Sequence, residues 1–287
     1  MKMISGLSDI INDFDTFILD QWGVLHNGGD AFPNAIATLE FLKQHNKKVV
    51  ILSNSGNTHN FSYQRLTDSG ISRDLYIDVL TSGDHMRHNF KQGKFDHLGS
   101  NALVFGWGEG INGTVLEDCC LTSVAIEDAS FIMCYGVERG TVADYQTDLD
   151  IALSRGLEMV VSNPDLVAMS PTGELKLCPG SIAIAYAAMG GKVHWHGKPQ
   201  AEVYAMCHTL LGGWDNAIAV GDSLEHDIRG ANTAGIAGLF LTTGIHADEL
   251  SARMASKDDV ISASVVADLS REFDVMPSHY IDWFQVD

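Results

Sequence analysis

Acidic, hydroxyl and lysine side chains directly follow four apolar segments of this 287-residue sequence. They are Asp20 after the run 17–19, Ser53 with Asn54 and Ser55 after 49–52, Lys198 in a Gly-Lys-Pro turn after 193–195, and Asp222 with Asp227 after 217–220. A carboxylate can act as a nucleophile toward phosphorus, and an acidic pair can hold Mg²⁺. A lysine, a hydroxyl and the free N–H groups of a turn can bind phosphoryl oxygens. Together these residue types indicate phosphoryl chemistry.

The elements that must position these residues follow an alternating pattern. Apolar runs at 17–19, 49–52, 217–220 and 238–241 predict buried strands, and helical spacing of apolar residues occurs at 34–45. This alternation predicts an α/β fold with a Rossmann-like, doubly wound parallel sheet. The carboxyl ends of the strands share one edge in such a sheet, and ligands bind there. We therefore expect the four stretches to converge.

A middle segment has its own pattern and predicts an inserted domain. Strand-like runs occur at 102–105, 131–133 and 159–161, with a helical stretch at 141–154. Turn residues cluster at Ser82-Gly83 and Pro179-Gly180, which marks them as hinges. We expect a discontinuous first domain, residues 1–82 and 180–287, and an inserted α/β domain, residues 83–179.

Composition excludes several classes of function. The formal net charge is −19, so broad nucleic-acid binding and docking to an anionic membrane are not expected. The sequence has no apolar run near the ~18 residues of a membrane span, and the first residues lack a signal-peptide pattern. A cytoplasmic location is the expectation. The five cysteines show no CxxC spacing and predict reduced thiols, and the twelve histidines show no zinc-ligand spacing.

Each candidate residue also has an interpretation without chemistry. Asp20 could simply be the residue that terminates a strand, Ser53 or Asn54 could be a helix N-cap, and Lys198 could be a solvated loop residue. All of them in order, each after an apolar run, favours the functional interpretation. The run 108–113 spells GxGxxG, but the next strand-like run ends without an acidic residue for a ribose, which favours a flexible turn over a dinucleotide site.

The four stretches resemble the four motifs of the haloacid dehalogenase (HAD) superfamily. The matching residues are Asp20 with Gly23-Val24, Ser53-Asn54, Gly197-Lys198-Pro199, and Gly221-Asp222-Ser223 with Asp227; Asn163-Pro164-Asp165 and Thr243-Gly244 are also similar. The spacing is similar to class IIA, which includes NagD-type, 4-nitrophenyl and pyridoxal phosphate phosphatases. The resemblance implies a HAD core with a cap domain between the second and third motifs. It also implies Mg²⁺-dependent hydrolysis of a small phosphorylated metabolite, and a homodimer as an option.

The resemblance implies a role for each motif residue. Asp20 would be the nucleophile that forms an aspartyl-phosphate. The metal ligands would be Asp20, the backbone carbonyl of Trp22 and Asp222, with Asp227 nearby. Ser53, Asn54, Ser55 and Lys198 would hold the phosphoryl group, and Asn163 and Asp165 would face the substrate. Closure of the cap would exclude water, and cap residues would select the substrate.

One position departs from the family pattern. Trp22 stands where family phosphatases carry the Asp that protonates the leaving group, and indole has no titratable proton near neutral pH. Such proton transfer is worth about 10²–10⁴-fold in rate. We favour a phosphatase that manages without this acid or replaces it, with His26 as the nearest substitute. The alternatives are phosphoryl transfer or C–P cleavage, and a phosphometabolite-binding protein with little turnover. A nicotinamide-dependent oxidoreductase is a distant third class.

Overall fold

A computed structural model describes residues 1–107, 115–169, 174–254 and 261–287. These residues form two compact units. The first unit contains Met1–Ser53, His59–Leu80 and Lys198–Asp287, and the second contains Asn54–Thr58 and Thr81–Gly197. Each unit has its own sheet of predominantly parallel strands.

Strands and helices alternate along most of the chain. The strands are β1 Lys2–Met3, β2 Thr16–Leu19, β3 Lys48–Ser53, β4 Asp78–Thr81, β5 Asn101–Phe105, β6 Thr122–Ser123, β7 Phe131–Cys134, β8 Glu158–Val161, β9 Val167–Met169, β10 Leu175–Leu177, β11 Val193–Trp195, β12 Ala217–Gly221, β13 Ala237–Leu241 and β14 His279–Ile281. The α-helices are α1 Ala35–Gln44, α2 His59–Asp68, α3 Ser82–Lys91, α4 Gln146–Ser154, α5 Pro179–Ala188, α6 Ala201–Leu210, α7 Arg229–Ala234, α8 Ala247–Ser251 and α9 Ala263–Glu272. Short 3₁₀ helices cover Leu7–Asp9, Arg73–Leu75, Asp96–Leu98 and Val142–Tyr145, and a π-helical turn covers Leu224–Ile228.

The first unit is built on a seven-stranded sheet in the order β1-β14-β13-β12-β2-β3-β4. The strand pairs from β1 through β3 are parallel. Successive residues of β3 point to opposite faces of the sheet. Val49 and Ile51 pack with Leu39 of α1 in one apolar cluster, and Val50 packs with Val203 of α6 in another. The sheet is therefore covered by helices on both faces, which explains the uninterrupted apolar runs of its strands.

The strand order reverses between β2 and β12. From β2 the chain continues outward to β3 and β4, whereas from β12 it continues outward in the other direction to β13 and β14. The crevice beside such a reversal, at the carboxyl ends of the strands, is where open α/β sheets bind ligands. Asp20 follows β2 directly and Asp222 follows β12 directly, so the topology alone brings these two carboxylates to the same crevice.

The second unit is built on a five-stranded parallel sheet in the order β11-β8-β7-β5-β6. Strands β9 and β10 form a separate antiparallel pair. The largest apolar cluster of the second unit contains Ile132 of β7, the fully buried Tyr145, and Tyr186 of α5. The strand-like runs at 102–105, 131–133 and 159–161 are thus strands of this sheet.

The structure corrects one part of the predicted organisation. The boundary expected at 179–180 lies instead between Gly197 and Lys198, so residues 180–197 belong to the second unit and not to the first. The reason is strand pairing, because His194 of β11 is in register with Val160 of β8. An apolar run predicts a strand but does not say which sheet will accept it. The glycine-rich run 108–113 lies outside the described residues.

Two further expectations concern the environment of the chain. Among the residues that the structure describes, no helix has both the length and the apolar character needed to cross a bilayer. The five cysteines are all free thiols, as their spacing predicted, and they are Cys119, Cys120, Cys134, Cys178 and Cys207.

Candidate active site

Three buried carboxylates meet at the crevice of the seven-stranded sheet. Carboxylate oxygens of Asp20, Asp222 and Asp227 lie within 4.8 Å of one another. The first two follow β2 and β12, and Asp227 belongs to the π-helical turn that comes after β12. The side chain of Asp227 is oriented by the backbone N–H of Ser223, which donates to its Oδ2 at 3.1 Å. The fold therefore brings together the three acidic residues singled out in the sequence.

Glycines make room for Asp222 within this cluster. A Cβ atom at Gly23 would lie 2.2 Å from Oδ2 of Asp222, and Gly23 also has a φ of +88°, which side-chain-bearing residues rarely adopt. A Cβ atom at Gly244 would lie 2.1 Å from Cβ of the same aspartate. The backbone can approach the carboxylate because these two positions lack side chains. The N–H of Ile245 uses this approach and donates to Asp222 Oδ2 at 3.0 Å.

Lys198 supplies the positive charge of the cluster. Its Nζ donates to Oδ1 of Asp20 at 2.5 Å and to Oδ1 of Asp227 at 2.6 Å, and only 3% of the residue is exposed. The sequence predicted that Lys198 follows a strand of the same sheet as Asp20 and Asp222. Instead, the preceding strand β11 is not part of the seven-stranded sheet. Lys198 enters the site as the first residue of the returning chain, just before α6.

The cluster has too little positive charge for its carboxylates. Burial raises the pKa of Asp20 well above its ordinary value, and the charges of Asp227 and Asp222 add to the rise although Lys198 opposes it. Burial, followed by the charge of Asp227, raises the pKa of Asp222 to about 7. Burial alone would lower the pKa of Lys198, but Asp20 and Asp227 outweigh it and raise that pKa. The ammonium is therefore firmly charged, and the carboxylates compete for it.

This donor set fits a divalent cation. Mg²⁺ prefers hard oxygen ligands, commonly one or two carboxylates, and retains several waters. The buried oxygens of Asp20, Asp222 and Asp227 offer such ligands, and the raised pKa values of Asp20 and Asp222 reflect the positive charge that the cluster lacks. A bound cation would reverse those shifts, since a nearby positive charge favours the ionised carboxylate. The carbonyl of Trp22 as a further ligand stays a prediction.

The remaining phosphate-binding candidates divide between the two units. Ser53 ends β3 and is buried in the first unit, one strand away from Asp20. Asn54 lies in the second unit, where its Nδ2 donates to Asp165 Oδ1 at 2.8 Å. The N–H of Asp165 in turn donates to Oδ1 of Asn163 at 2.8 Å, and the Oγ of Ser55 accepts from a backbone N–H two residues on. Asn54, Asn163 and Asp165 thus form one hydrogen-bonded set.

Trp22, at the position where the resemblance implies a second aspartate, is partly buried, and its ring packs in a loop. The guanidinium of Arg65 lies 5.3 Å from the ring centroid, which is within the range of a cation–π contact. The ring of His26 meets it edge-on at 5.4 Å. A Cβ atom at Gly28 would lie 2.2 Å from the indole. The loop is therefore built around this side chain.

His26 is poorly suited to replace the missing acid. It is fully buried, and burial together with Arg65 lowers its pKa to about 4, so the ring is neutral near pH 7. Nδ1 accepts from the backbone N–H of Gly28 at 2.9 Å, which leaves the proton on Nε2. Nε2 lies 3.0 Å from the side-chain amide nitrogen of Gln21, and the amide oxygen, once turned toward the ring, accepts that proton. Both ring nitrogens hold the loop together.

Two contributors to the site carried little signal in the sequence. Ile245 acts through its backbone N–H, which side-chain chemistry does not reveal, although the preceding Thr243-Gly244 was noted. Tyr204 of α6 is fully buried beside the cluster, and its pKa is raised first by burial and then by the charge of Asp227. A tyrosine at helical spacing within an apolar helix predicts packing. Only the structure reveals that charged groups, Asp227 and Lys198, act on this side chain.

Family comparison matches two stretches of the chain, and each includes residues of the first unit. Residues 17–117 match the model of the haloacid dehalogenase-like hydrolase family, and residues 195–269 match the model of a HAD-hydrolase-like family. Together the two matches include Asp20, Ser53, Lys198, Asp222 and Asp227.

Individual relatives are similar to this chain over 81–97% of its length. A dihydroxyacetone phosphatase of Corynebacterium glutamicum is 23% identical over 238 residues, which are 81% of this chain and 82% of that protein. A solved haloacid dehalogenase-like hydrolase of Brucella suis superposes with a TM-score of 0.80 at 23% identity, covering 97% and 98% of the two chains. A glycerol phosphate phosphatase of Mycobacterium tuberculosis, solved in complex with magnesium, gives a TM-score of 0.63 at 24% identity and covers 88% and 74%.

Replacement of Asp222 by Asn should stabilise the metal-free protein at alkaline pH. The rise of the Asp222 pKa from 3.8 to about 7 corresponds to at most about 4 kcal/mol at about 1.4 kcal/mol per unit. The folded chain loses this stability as pH rises from about 4 to about 7, because only the unfolded carboxyl ionises in that range. Asn keeps an oxygen for the N–H of Ile245.

We therefore expect Tm to rise by about 2–4 °C per kcal/mol gained. Thermal unfolding in the presence of a chelator measures the gain, which should be large at pH 8 and small at pH 5. The exposed Asp128, changed to Asn in the same way, is the control and should leave Tm unchanged. An Asp222→Asn protein that is less stable than wild type at pH 8 would contradict the charge imbalance.

Proposed function

The chain belongs to the haloacid dehalogenase-like hydrolases, and from this membership we propose that it hydrolyses phosphate monoesters of small metabolites through Asp20. The observation that carries the proposal is the convergence of Asp20 with Asp222, Asp227 and Lys198 in one buried crevice. The similarity to a dihydroxyacetone phosphatase and to a glycerol phosphate phosphatase supports a small, phosphorylated three-carbon compound or a similar metabolite as the substrate.

The proposed first step is attack by a carboxylate oxygen of Asp20 on phosphorus. A P–O bond to Asp20 forms while the P–O bond to the leaving group breaks, and the leaving oxygen departs with the electron pair. Water then attacks the aspartyl-phosphate, releasing inorganic phosphate and regenerating the carboxylate. A carboxylate and a phosphate ester repel each other, so the site must neutralise charge before they can meet.

The chain supplies part of that neutralisation itself. Lys198 already holds Oδ1 of Asp20 at 2.5 Å, so a phosphoryl oxygen bound by the same ammonium would be held beside the nucleophile. The hydroxyl of Ser53 lies at the end of the neighbouring strand and is proposed to bind a second phosphoryl oxygen. Asp20, Asp222 and Asp227 would hold Mg²⁺, which when bound supplies the positive charge that the cluster lacks.

The leaving group must depart without help from position 22. Trp22 has no transferable proton, and His26 is neutral, buried and bonded through both ring nitrogens. A leaving oxygen of low basicity needs little protonation, whereas an alkoxide needs much. Aryl phosphates should therefore be cleaved well, and this preference distinguishes the chain from phosphatases with an aspartate at this position.

A second function is supported by the same tryptophan. If no other group protonates the leaving alkoxide, the crevice would bind a phosphorylated metabolite and release phosphate slowly. The contacts of Trp22 with Arg65 and His26 support this candidate, because the loop is packed around a residue without acid–base chemistry. Turnover of a panel of phosphate esters with Mg²⁺ separates the two candidates. Binding of metabolites without phosphate release would favour the binding protein.

Replacement of Asp20 by Asn should abolish Mg²⁺-dependent phosphate release from 4-nitrophenyl phosphate. An amide oxygen is a far weaker nucleophile than a carboxylate, and we expect a loss of at least about 10³-fold in kcat. Release of nitrophenolate measures the rate. The exposed Asp128→Asn variant is the matched control and should keep wild-type activity. Equal rates for Asp20→Asn and wild type would eliminate Asp20 as the nucleophile.

Leaving-group dependence should be steep in the wild-type chain and shallower in Trp22→Asp. An aspartate at position 22 would restore a proton donor, worth up to about 10²–10⁴-fold, and would accelerate glycerol phosphate far more than 4-nitrophenyl phosphate. Steady-state rates with aryl and alkyl phosphates measure the slopes. Trp22→Asn makes the same cavity without an acid and is the control. A flat dependence in wild type would reveal another proton donor and refute this account of Trp22.

A further inference from the structure

A second cluster of metal-ligating atoms lies in the second unit. His97 comes from the 3₁₀ helix Asp96–Leu98, Glu158 begins β8, and His194 is the middle residue of β11. One nitrogen of each imidazole and one carboxylate oxygen lie within 4.8 Å of one another. Nε2 of His194 is 2.6 Å from Oε2 of Glu158, and Nε2 of His97 is 3.7 Å from the same oxygen. Three distant segments thus aim their donor atoms at one point.

The donor types differ from those of the aspartate crevice. Two imidazoles and one carboxylate are ligands of Zn²⁺, whereas Mg²⁺ prefers oxygen alone. At Zn–N and Zn–O bond lengths of about 2.0–2.2 Å, tetrahedral ligand atoms are about 3.4 Å apart. The separations of 2.6 and 3.7 Å from the two histidines to Glu158 bracket this value, and the two imidazole nitrogens lie within 4.8 Å of each other, so side-chain adjustments could place all three donors around an ion.

Neighbouring residues hold side chains of this cluster in place. Lys192 donates to Oε1 of Glu158 at 3.0 Å, which fixes the carboxylate while leaving Oε2 facing the histidines. The ring of Phe95 packs edge-on against His194 at 5.2 Å. Parallel pairing of β8 with β11 sets two of the ligands on adjacent strands. A hydrogen bond to a ligating carboxylate, such as that from Lys192, helps to orient the ligand.

The cluster is also accessible. The side chain of His97 is 54% exposed, and those of Glu158 and His194 are each 23% exposed. An ion can therefore enter from solvent, and water can complete the fourth position. Nε2 of His194 faces Oε2 of Glu158 across a hydrogen bond; an ion bound between them would take the Nε2 lone pair, and the proton of the neutral ring would then lie on Nδ1.

From this convergence we propose that His97, Glu158 and His194 form a Zn²⁺ site, separate from the Mg²⁺ ligands proposed in the first unit. The ion would join the 3₁₀ helix to β8 and to the edge strand β11, and because it binds only the folded chain it would stabilise the second unit. The ligands are 61 and 36 residues apart in sequence, so no spacing motif could reveal the site.

Metal binding with the full chain tests the proposal. Equilibrium dialysis against Zn²⁺ in saturating Mg²⁺ measures affinity and stoichiometry, and Co²⁺ substitution reports four-coordinate geometry through its intense visible absorption. We expect one tightly held Zn²⁺ per chain and a rise in Tm. Asp222→Asn should retain this ion, so failure of the proposed phosphatase site would leave the result intact.

Variants assign the ion to its ligands. His97→Ala, Glu158→Gln and His194→Ala should each weaken Zn²⁺ binding by at least about tenfold. His88→Ala, an exposed histidine of α3, should bind like wild type. His97→Ala is decisive should His194→Ala fail to fold, because the His97 side chain is largely exposed. No Zn²⁺ uptake, complete displacement by Mg²⁺, or undiminished binding by His97→Ala and Glu158→Gln would each overturn the proposal.

Discussion

The ion pairs of Lys198 with Asp20 and Asp227 are the constraint on which the first unit depends. Burying a charge costs several kcal/mol unless it is paired, and here one ammonium serves three buried carboxylates. The arrangement is costly for stability, but its shortage of positive charge favours the binding of a cation. A bound cation would in turn allow an anionic phosphoryl group to approach. The reversal of strand order between β2 and β12 makes the arrangement possible, since it delivers two acidic strand ends to one crevice.

The loop after β2 is stabilised by side-chain packing and has no proton donor at position 22. Trp22, His26 and Arg65 pack together, and hydrogen bonds from Gly28 and to Gln21 use both nitrogens of the histidine. This packing stabilises the loop that follows the proposed nucleophile. It also places an apolar ring where a proton donor would stand, so the rate of the proposed hydrolysis would depend on the leaving group more than in an enzyme with an acid at that position. Under the proposed function, the chain keeps the residues for attack on phosphorus and lacks the one that would assist departure.

The two proposed metal sites differ in the donor atoms that they offer to an ion. The aspartate crevice offers only oxygen atoms, is almost completely buried, and lies at a topological switch point common to open α/β sheets. The cluster of His97, Glu158 and His194 mixes nitrogen with oxygen, is open to solvent, and depends on a particular pair of neighbouring strands. Hardness of the donors would direct Mg²⁺ to the first cluster and Zn²⁺ to the second.

The sequence by itself determined the strands at 17–19, 49–52 and 217–220 and the polar residues after them, because a strand buried on both faces must be continuously apolar and must end where polarity begins. It therefore predicted the convergence of Asp20, Ser53 and Asp222. Only the tertiary structure decided which sheet accepts β11, how Lys198 reaches the crevice, and that His97 and His194 meet. Local patterns encode the type of an element, whereas strand pairing and contacts between distant residues depend on the packing of the whole chain.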